Sequence, residues 1–334
     1  MSKHLLQLAR IPAAVVALLA FAASPALGAA ANPWRHTRPL NIAHQGGEDE
    51  FPSNTMYAFK RALQGGADML ELDVGVTKDG QVVVRHDTTL DRTTNGTGTI
   101  ASHTLAQIRK LDAAYWFSPG ADHYSHDKPA SAYPFRGIAT GKRRPPKGFT
   151  ADDFKVATLA QVLRTFPHTP TNVEIKGRTP AEDISEYLTN ARALARLLKG
   201  VRRHDVIVVS FKQPAVGLFH QLVPQLPVAP GIDGSADFLL GNKSPGDGVA
   251  AFQLPITYMF GGSLLTVTTK DNVARAHKAG YAWQNWFGDT DPDTPATWRT
   301  LLSYCVDGVM TSRPIAFEKF LRETPSPKAC AQRP

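Results

Sequence analysis

Two cysteines in 334 residues rule out a disulfide-stapled miniprotein, and neither sits in a metal-binding or redox spacing. Only one long apolar run exists, at the extreme N-terminus, which excludes a polytopic membrane protein. No run of five or more basic residues occurs, so nucleic acid is not an expected partner. No glycine-rich dinucleotide turn follows the first apolar strand, and no serine or cysteine lies in an activating nucleophile motif. The composition that remains is 43% hydrophobic and 20% charged, with 26 Gly and 25 Pro, which excludes a disordered tail and a collagen-like chain. A chain of this size suits one large α/β domain or two smaller ones.

The N-terminal run has the layout of a secretory signal peptide. Lys3 and Arg10 precede an apolar stretch from Ile11 to Ala22, and Pro25 is followed by the small residues Ala26, Gly28, Ala29 and Ala31. That stretch falls short of the roughly 20 residues a membrane span needs. Residues 1–31 are therefore expected to be a cleaved export signal, and 32–334 the folded domain, delivered to the periplasm or beyond. Export permits a Cys305–Cys330 disulfide, which would tie the C-terminal tail to the body. The formal charge of +8 suits anionic substrates, lipid headgroups or wall polymers. Its densest basic cluster, Lys142-Arg143-Arg144-Pro145-Pro146-Lys147, reads as a solvated loop.

Past residue 32, short β-branched runs alternate with amphipathic stretches. Strands are expected at 40–44, 69–73, 172–176, 206–211, 228–232, 249–254, 281–285 and 308–311. Helices are expected at 54–64, 159–166, 180–198, 214–222, 270–279 and 295–304, with weaker helical signals after the fifth and sixth strands. Eight strands alternating with helices predict a TIM-type (β/α)8 barrel rather than a doubly wound open sheet. In such barrels the chemistry lies at the C-terminal strand ends. Residues 88–157 break the alternation and are rich in Pro, Gly, His and aromatics, so they are expected to be an insertion over the mouth. Within it, Tyr115-Trp116-Phe117 could form an apolar rim or a small core.

The polar residues fall where a barrel would place a site. The first strand delivers His44 into the turn Gln45-Gly46-Gly47. On the second, Glu71 and Asp73 are two residues apart and share a face. Flanked by Met69, Leu70 and Leu72, these carboxylates would be buried together, which a hard divalent cation between them relieves. Asp79-Gly80 signals a two-residue hairpin, which would pair Asp73 with His86 and return His86 to the carboxylates. A longer turn would shift that register by one residue and flip the face. On the third barrel strand Glu174 and Lys176 share a face. Glu174 could complete a three-carboxylate metal site, and Lys176 could hold a phosphoryl oxygen. Two histidines titrating near neutrality beside such a cluster suit metal-assisted phosphoryl chemistry with a general acid and a general base.

These residues resemble the glycerophosphodiester phosphodiesterase family, whose barrel is of the phospholipase-C-like phosphodiesterase type. The matching segments are His44-Gln45-Gly46, Pro52-Ser53-Asn54-Thr55, Glu71-Leu72-Asp73-Val74, Thr77-Lys78-Asp79-Gly80, His86-Asp87, Leu90-Asp91-Arg92-Thr93-Thr94 and Gly96-Thr97-Gly98. Val173-Glu174-Ile175-Lys176 and Val306-Asp307-Gly308 through Pro314 match as well. The resemblance implies hydrolysis of a small glycerophosphodiester to sn-glycerol 3-phosphate and an alcohol. It implies His44 and His86 as the acid/base pair, and Glu71, Asp73 and Glu174 as ligands to one divalent metal, Ca²⁺ before Mg²⁺. Lys176 would contact the phosphate, with Gln45 beside it at the position of a family phosphate contact, and Trp283 would wall the glycerol pocket. Three positions depart from the family pattern. Gln45 replaces an arginine that grips phosphate, Ser53 replaces a glutamate, and Gln284-Asn285-Trp286 replaces Thr-Val-Asn after Trp283. The competing expectations are a related phosphodiesterase acting on lysophospholipid, phosphatidylinositol or wall teichoic substrates, in contact with a lipid or wall surface, and a non-catalytic binding protein on the same barrel.

Overall fold

The computed structural model describes residues 32–120, 122–288 and 290–331; the expected export signal, 1–31, lies outside them. The first strand, β1 (Leu40–Ala43), is followed by α1 (Met56–Gln64), capped by the Thr55 hydroxyl accepting from the Ala58 N–H. Then come β2 (Met69–Val76), the short β3 (Val82–Val84) and the small helix α2 (Leu105–Ile108). The alternation resumes with α3 (Leu159–Thr165), β4 (Thr171–Ile175), α4 (Ile184–Leu198), β5 (Val206–Val209), α5 (Gln213–Leu222) and α6 (Ile232–Leu239). After β6 (Ala251–Leu254) a hairpin of β7 (Thr257–Phe260) and β8 (Ser263–Thr266) precedes α7 (Lys270–Lys278). The chain ends with β9 (Ala282–Trp286), α8 (Pro295–Tyr304), β10 (Gly308–Thr311), α9 (Pro314–Glu323) and α10 (Lys328–Ala331).

Seven of these strands form a curled parallel sheet in the order β5-β4-β2-β1-β10-β9-β6. Val228 bridges Val208 on one side and Val249 on the other, both in parallel, and so spans the gap between the two ends. This is a TIM-type barrel. The strand expected over 228–232 is reduced to that bridge, because Pro227 and Pro230 bring no N–H to a ladder. After the sixth strand the helix expected over 270–279 is present as α7, and the β7–β8 hairpin precedes it, where only a weak helical signal was read.

Strand parity sets what the barrel holds. Leu70, Leu72 and Val74 of β2 face outward into the core under α1, α3 and α4, with Phe59, Val162 and Leu194. Ile42, Met69, Ile207, Ala251, Ala282 and Met310 fill the interior. Gly308 is required there: a Cβ would come within 2.7 Å of Ile42 Cδ1. Above this apolar floor lies a layer of amides, in which Gln253 Nε2 donates to Asn172 Oδ1 at 3.1 Å and to Gln284 Oε1 at 2.9 Å. The carboxylates of β2 and β4 sit on top of that layer.

The β2–β3 hairpin corrects one expectation. Its ladder pairs Val74 with Val84 and Val76 with Val82, one residue out of the register that a two-residue turn would give. The turn is longer: Thr77 N–H donates to Gln81 at 3.0 Å, and Gly80 takes φ +77, the bulged three-residue loop. Asp73 therefore faces Arg85 across the ladder, and the Arg85 N–H donates to the Asp73 carbonyl at 2.9 Å. His86 reaches the mouth because the chain leaves the ladder after Val84, not through strand pairing.

Residues 88–157 contain short helical turns and no barrel unit. They pack on α1 through Phe51, Tyr57, Ala114 and Phe154, and on β3 through Val83, Leu90 and Ile108. The aromatic trio is scaffold rather than rim. Phe117 is fully buried, and the Arg136 guanidinium lies 4.3, 4.5 and 3.8 Å from the rings of Tyr115, Trp116 and Tyr133.

Cys305 ends α8 in the left-handed region (φ 65) and is bonded to Cys330 of α10, with the Cα atoms 5.5 Å apart. The 25-residue separation makes this a substantial constraint on the unfolded chain, about 3 kcal/mol in the chain-entropy view. The double substitution Cys305→Ser/Cys330→Ser is expected to lower Tm by roughly 5 °C in calorimetry. An unchanged Tm would mean that the tail contributes nothing to the cooperative unit.

Candidate active site

Three acids converge at the C-terminal ends of β2 and β4. One ligand oxygen each from Glu71, Asp73 and Glu174 lies within 4.8 Å of the others, and Glu71 and Asp73 are almost wholly buried. Burial and the adjacent Asp73 push the Glu71 carboxyl up to about 8. Asp73 stays below the usual range despite its burial, because Lys176, His86, His44 and Asn54 favour the anion. Lys176 Nζ lies 2.8 Å from Glu174 Oε1 and 3.2 Å from Asp73 Oδ1, which raises its pKa against the effect of burial. Asp73 Oδ1 is otherwise a buried oxygen with no hydrogen bond. A set of hard, crowded carboxylate oxygens fits a divalent cation such as Ca²⁺ or Mg²⁺.

The turn after β1 is built to reach this cluster. Gln45 adopts φ +50, an unfavourable conformation for a residue with a Cβ, and its N–H donates to Glu71 Oε2 at 2.7 Å. Gly46 is needed because a Cβ would lie 2.9 Å from the Ala58 Cβ on α1. Asn54, also left-handed at φ +57, donates to Asp73 Oδ2 at 3.0 Å and to Gln45 Oε1 at 3.2 Å. Gln45 is thus a buried strut under the site.

Both histidines are tethered in the same way. His44 Nδ1 lies 2.7 Å from Glu48 Oε1, and His86 Nδ1 lies 2.8 Å from Asp87 Oδ1. Burial alone would lower His44, but Glu48, Glu71 and Asp73 outweigh it and push the imidazole up to about 10. Glu48, correspondingly, falls to about 2 against the effect of burial, because His44 faces it. His44 Nε2 is 3.9 Å from Glu71 Oε2. Asp87 is in turn bonded by Arg92, and both line the mouth with His123.

Of the residues expected at the site, His44, Gln45, Glu71, Asp73, His86, Glu174 and Lys176 are brought together, and Trp283 is not. Gln284 points into the barrel, so Trp283 points out, packing on Phe252 and donating to Thr268 Oγ1 at 3.2 Å. Trp286, on the inward face, lines the cavity instead. Sequence reasoning missed Glu48, which reads as part of the acidic run Glu48-Asp49-Glu50. Its spacing of four from His44 was the available signal. It also missed Arg85, whose guanidinium is 2% exposed with Nε and Nη1 unbonded.

A TIM-type barrel with paired histidines, three acids and a lysine at its mouth defines a phosphoryl-transfer type of site. The model of the glycerophosphoryl diester phosphodiesterase family matches residues 44–316, and the chain belongs to that family. A glycerophosphodiester phosphodiesterase of Bacillus subtilis is 31% identical over 306 residues, 90% of this chain and 93% of that protein. Among solved structures, an Oleispira antarctica phosphodiesterase in complex with the product sn-glycerol-3-phosphate shares the fold, with a TM-score of 0.60 at 20% identity over 84% of this chain and 96% of that one. The glycerophosphoryl diester phosphodiesterase domain of a Mycobacterium tuberculosis protein does so with a TM-score of 0.61 at 19% identity, covering 84% and 98%.

Proposed function

We propose that the chain is an exported, metal-dependent hydrolase that cleaves glycerophosphodiesters to sn-glycerol 3-phosphate and an alcohol. The observation that carries this reading is the pair of carboxylate-tethered imidazoles beside a three-acid cluster, with a lysine bridging two of the acids. Glu71, Asp73 and Glu174 would hold one divalent ion, Ca²⁺ first and Mg²⁺ second, which supplies charge neutralisation at the phosphoryl oxygens and lowers the pKa of a bound hydroxyl. Lys176 binds a phosphoryl oxygen from beside the acids. With Nδ1 of each histidine engaged by Glu48 or Asp87, Nε2 is the nitrogen offered to the substrate. One Nε2 takes the proton of the attacking oxygen, and the other returns a proton to the departing alcohol. Gln45 contributes its backbone N–H to Glu71 rather than a charge to the phosphate. Export by residues 1–31 agrees with the disulfide, a bond of oxidising compartments.

Glu48 acts in this scheme by holding His44. Glu48→Gln is expected to reduce kcat roughly tenfold to a hundredfold with little change in KM. Removing the anion also destabilises the imidazolium, so the limb of the pH–rate profile belonging to His44 moves to lower pH. A profile that keeps its position would detach Glu48 from the chemistry.

A further inference from the structure

The cavity that holds the catalytic groups is far larger and more apolar than a polar glycerophosphodiester needs. It measures about 870 Å³, near the top of the roughly 300–1,000 Å³ typical of pockets for drug-sized ligands. Its two ends differ in kind. His44, Glu48, His86, Asp87 and Arg92 crowd one end, whereas Phe211, Ile232, Leu239, Tyr258, Leu265 and Trp286 line the other. The join falls at the proposed phosphate contact: Lys176 Nζ stands 5.6 Å from the Phe211 ring, and that ring meets Trp286 edge-on at 5.6 Å. An apolar wall therefore begins one side chain away from where the phosphoryl group would sit.

The apolar end opens onto an apolar rim. The β7–β8 hairpin turns at Gly261-Gly262, both at positive φ, and carries Met259, Phe260 and Leu264, which are 57%, 39% and 54% exposed. Leu240, 65% exposed just past α6, lines the same cavity. Seven large apolar side chains are exposed among the described residues; Leu240, Met259 and Phe260 line this cavity, and Leu264 is paired with Met259 across the hairpin. Scattered apolar residues need no explanation, but a cluster continuous with a ligand cavity does.

We infer that the substrate is a glycerophosphodiester bearing a single long hydrocarbon chain, which lies along this wall and leaves over the hairpin. This rests on the hydrolase reading above and specifies its substrate class. The hydrolysis itself is unchanged: a water oxygen bonds to phosphorus, the P–O bond to the alcohol breaks, and the departing oxygen takes a proton. A chain on the alcohol leaves with it and gives sn-glycerol 3-phosphate, whereas a chain on the glycerol stays on the phosphate and gives an acylglycerol 3-phosphate. The two lipids below distinguish which side of the phosphate faces Phe211 and Trp286.

The test compares three substrates with the full chain in Ca²⁺, followed by ³¹P NMR: glycerophosphocholine, monomeric palmitoyl-lysophosphatidylcholine and glycerophospho-N-palmitoylethanolamine. At least one single-chain lipid should exceed glycerophosphocholine in kcat/KM by about tenfold or more. Met259→Ser/Phe260→Ser/Leu264→Ser, on exposed positions that leave the barrel intact, should lower that ratio about tenfold. Titration calorimetry of the two lipids, which needs no turnover, separates this inference from the hydrolase reading. If no substrate is cleaved, the hydrolase reading fails, while lipid binding weakened by the triple variant still supports the cavity assignment. Equal or better use of glycerophosphocholine, no lipid binding, or a lipid preference unmoved by the variant would overturn it. So would a dimer that the triple variant abolishes without any lipid preference, since the hairpin would then be covered by a second copy.

Discussion

His44→Ala is expected to lower kcat by about a thousandfold, within the 10²–10⁴ that a positioned acid or base contributes, and to leave KM within a few-fold. The imidazole sits where β1 ends, held on one side by Glu48 at 2.7 Å and facing Glu71 on the other. Alanine deletes the proton carrier but leaves the acids, Lys176 and the cavity wall in place. His86→Ala should produce a loss of the same order, because its tether to Asp87 reproduces the arrangement at His44. The double variant should cost far less than the product of the two, as residues acting as one unit do. Steady-state kinetics on the two single variants and the double provide the check. A loss confined to KM would recast the histidines as binding groups.

Removing divalent ions with EDTA is expected to lower turnover by at least about a thousandfold and to be reversed by Ca²⁺. A second readout does not involve activity. Binding an ion at a hundred times its Kd stabilises the fold by about 2.7 kcal/mol, which appears as a rise in Tm that Glu174→Gln should abolish. The pH dependence sharpens this. Without the ion, Glu71 in the fold titrates near 8, above its unfolded value, so the folded state holds a proton that the unfolded chain has lost. His44, near 10 in the fold, does the same over the range above its unfolded value of 6.5. Both groups therefore make the metal-free chain lose stability as pH rises, from the ordinary carboxylate range upward for Glu71 and from neutrality upward for His44. A cation among the carboxylates should flatten the Glu71 part of that slope. Melting curves from pH 6 to 9, with EDTA and with Ca²⁺, test it; parallel curves would mean that the three acids hold no ion.

Much of the site was legible because strand period is simple. Two residues per repeat put Glu71 beside Asp73 and placed Glu174 on the inward face of its strand, with no tertiary information needed. The parallel barrel followed from the alternation of runs. What failed was set by geometry that composition does not encode. Asp79-Gly80 announces a turn, but the third loop residue shifted the ladder and brought Arg85 rather than His86 opposite Asp73. Trp283 looked like a wall until Gln284 joined the interior amide layer, which turned the tryptophan outward. For Tyr115-Trp116-Phe117 the sequence leaves rim and core equally open, and Arg136 decides it by knitting the aromatics into a scaffold. The exposed apolar side chains Met259 and Phe260, which line the cavity, are on the β7–β8 hairpin, for which the sequence carries no clear strand signal. Glu48 became meaningful only once the glycine turn folded it back onto His44.

Metal-dependent cleavage of a glycerophosphodiester is read out by ³¹P NMR of glycerophosphocholine with the full chain. The diester resonance is expected to give way to that of glycerol 3-phosphate in Ca²⁺ or Mg²⁺, and to persist in EDTA or with His44→Ala. Cleavage that continues at full rate in EDTA, or in the His44 variant, would contradict it.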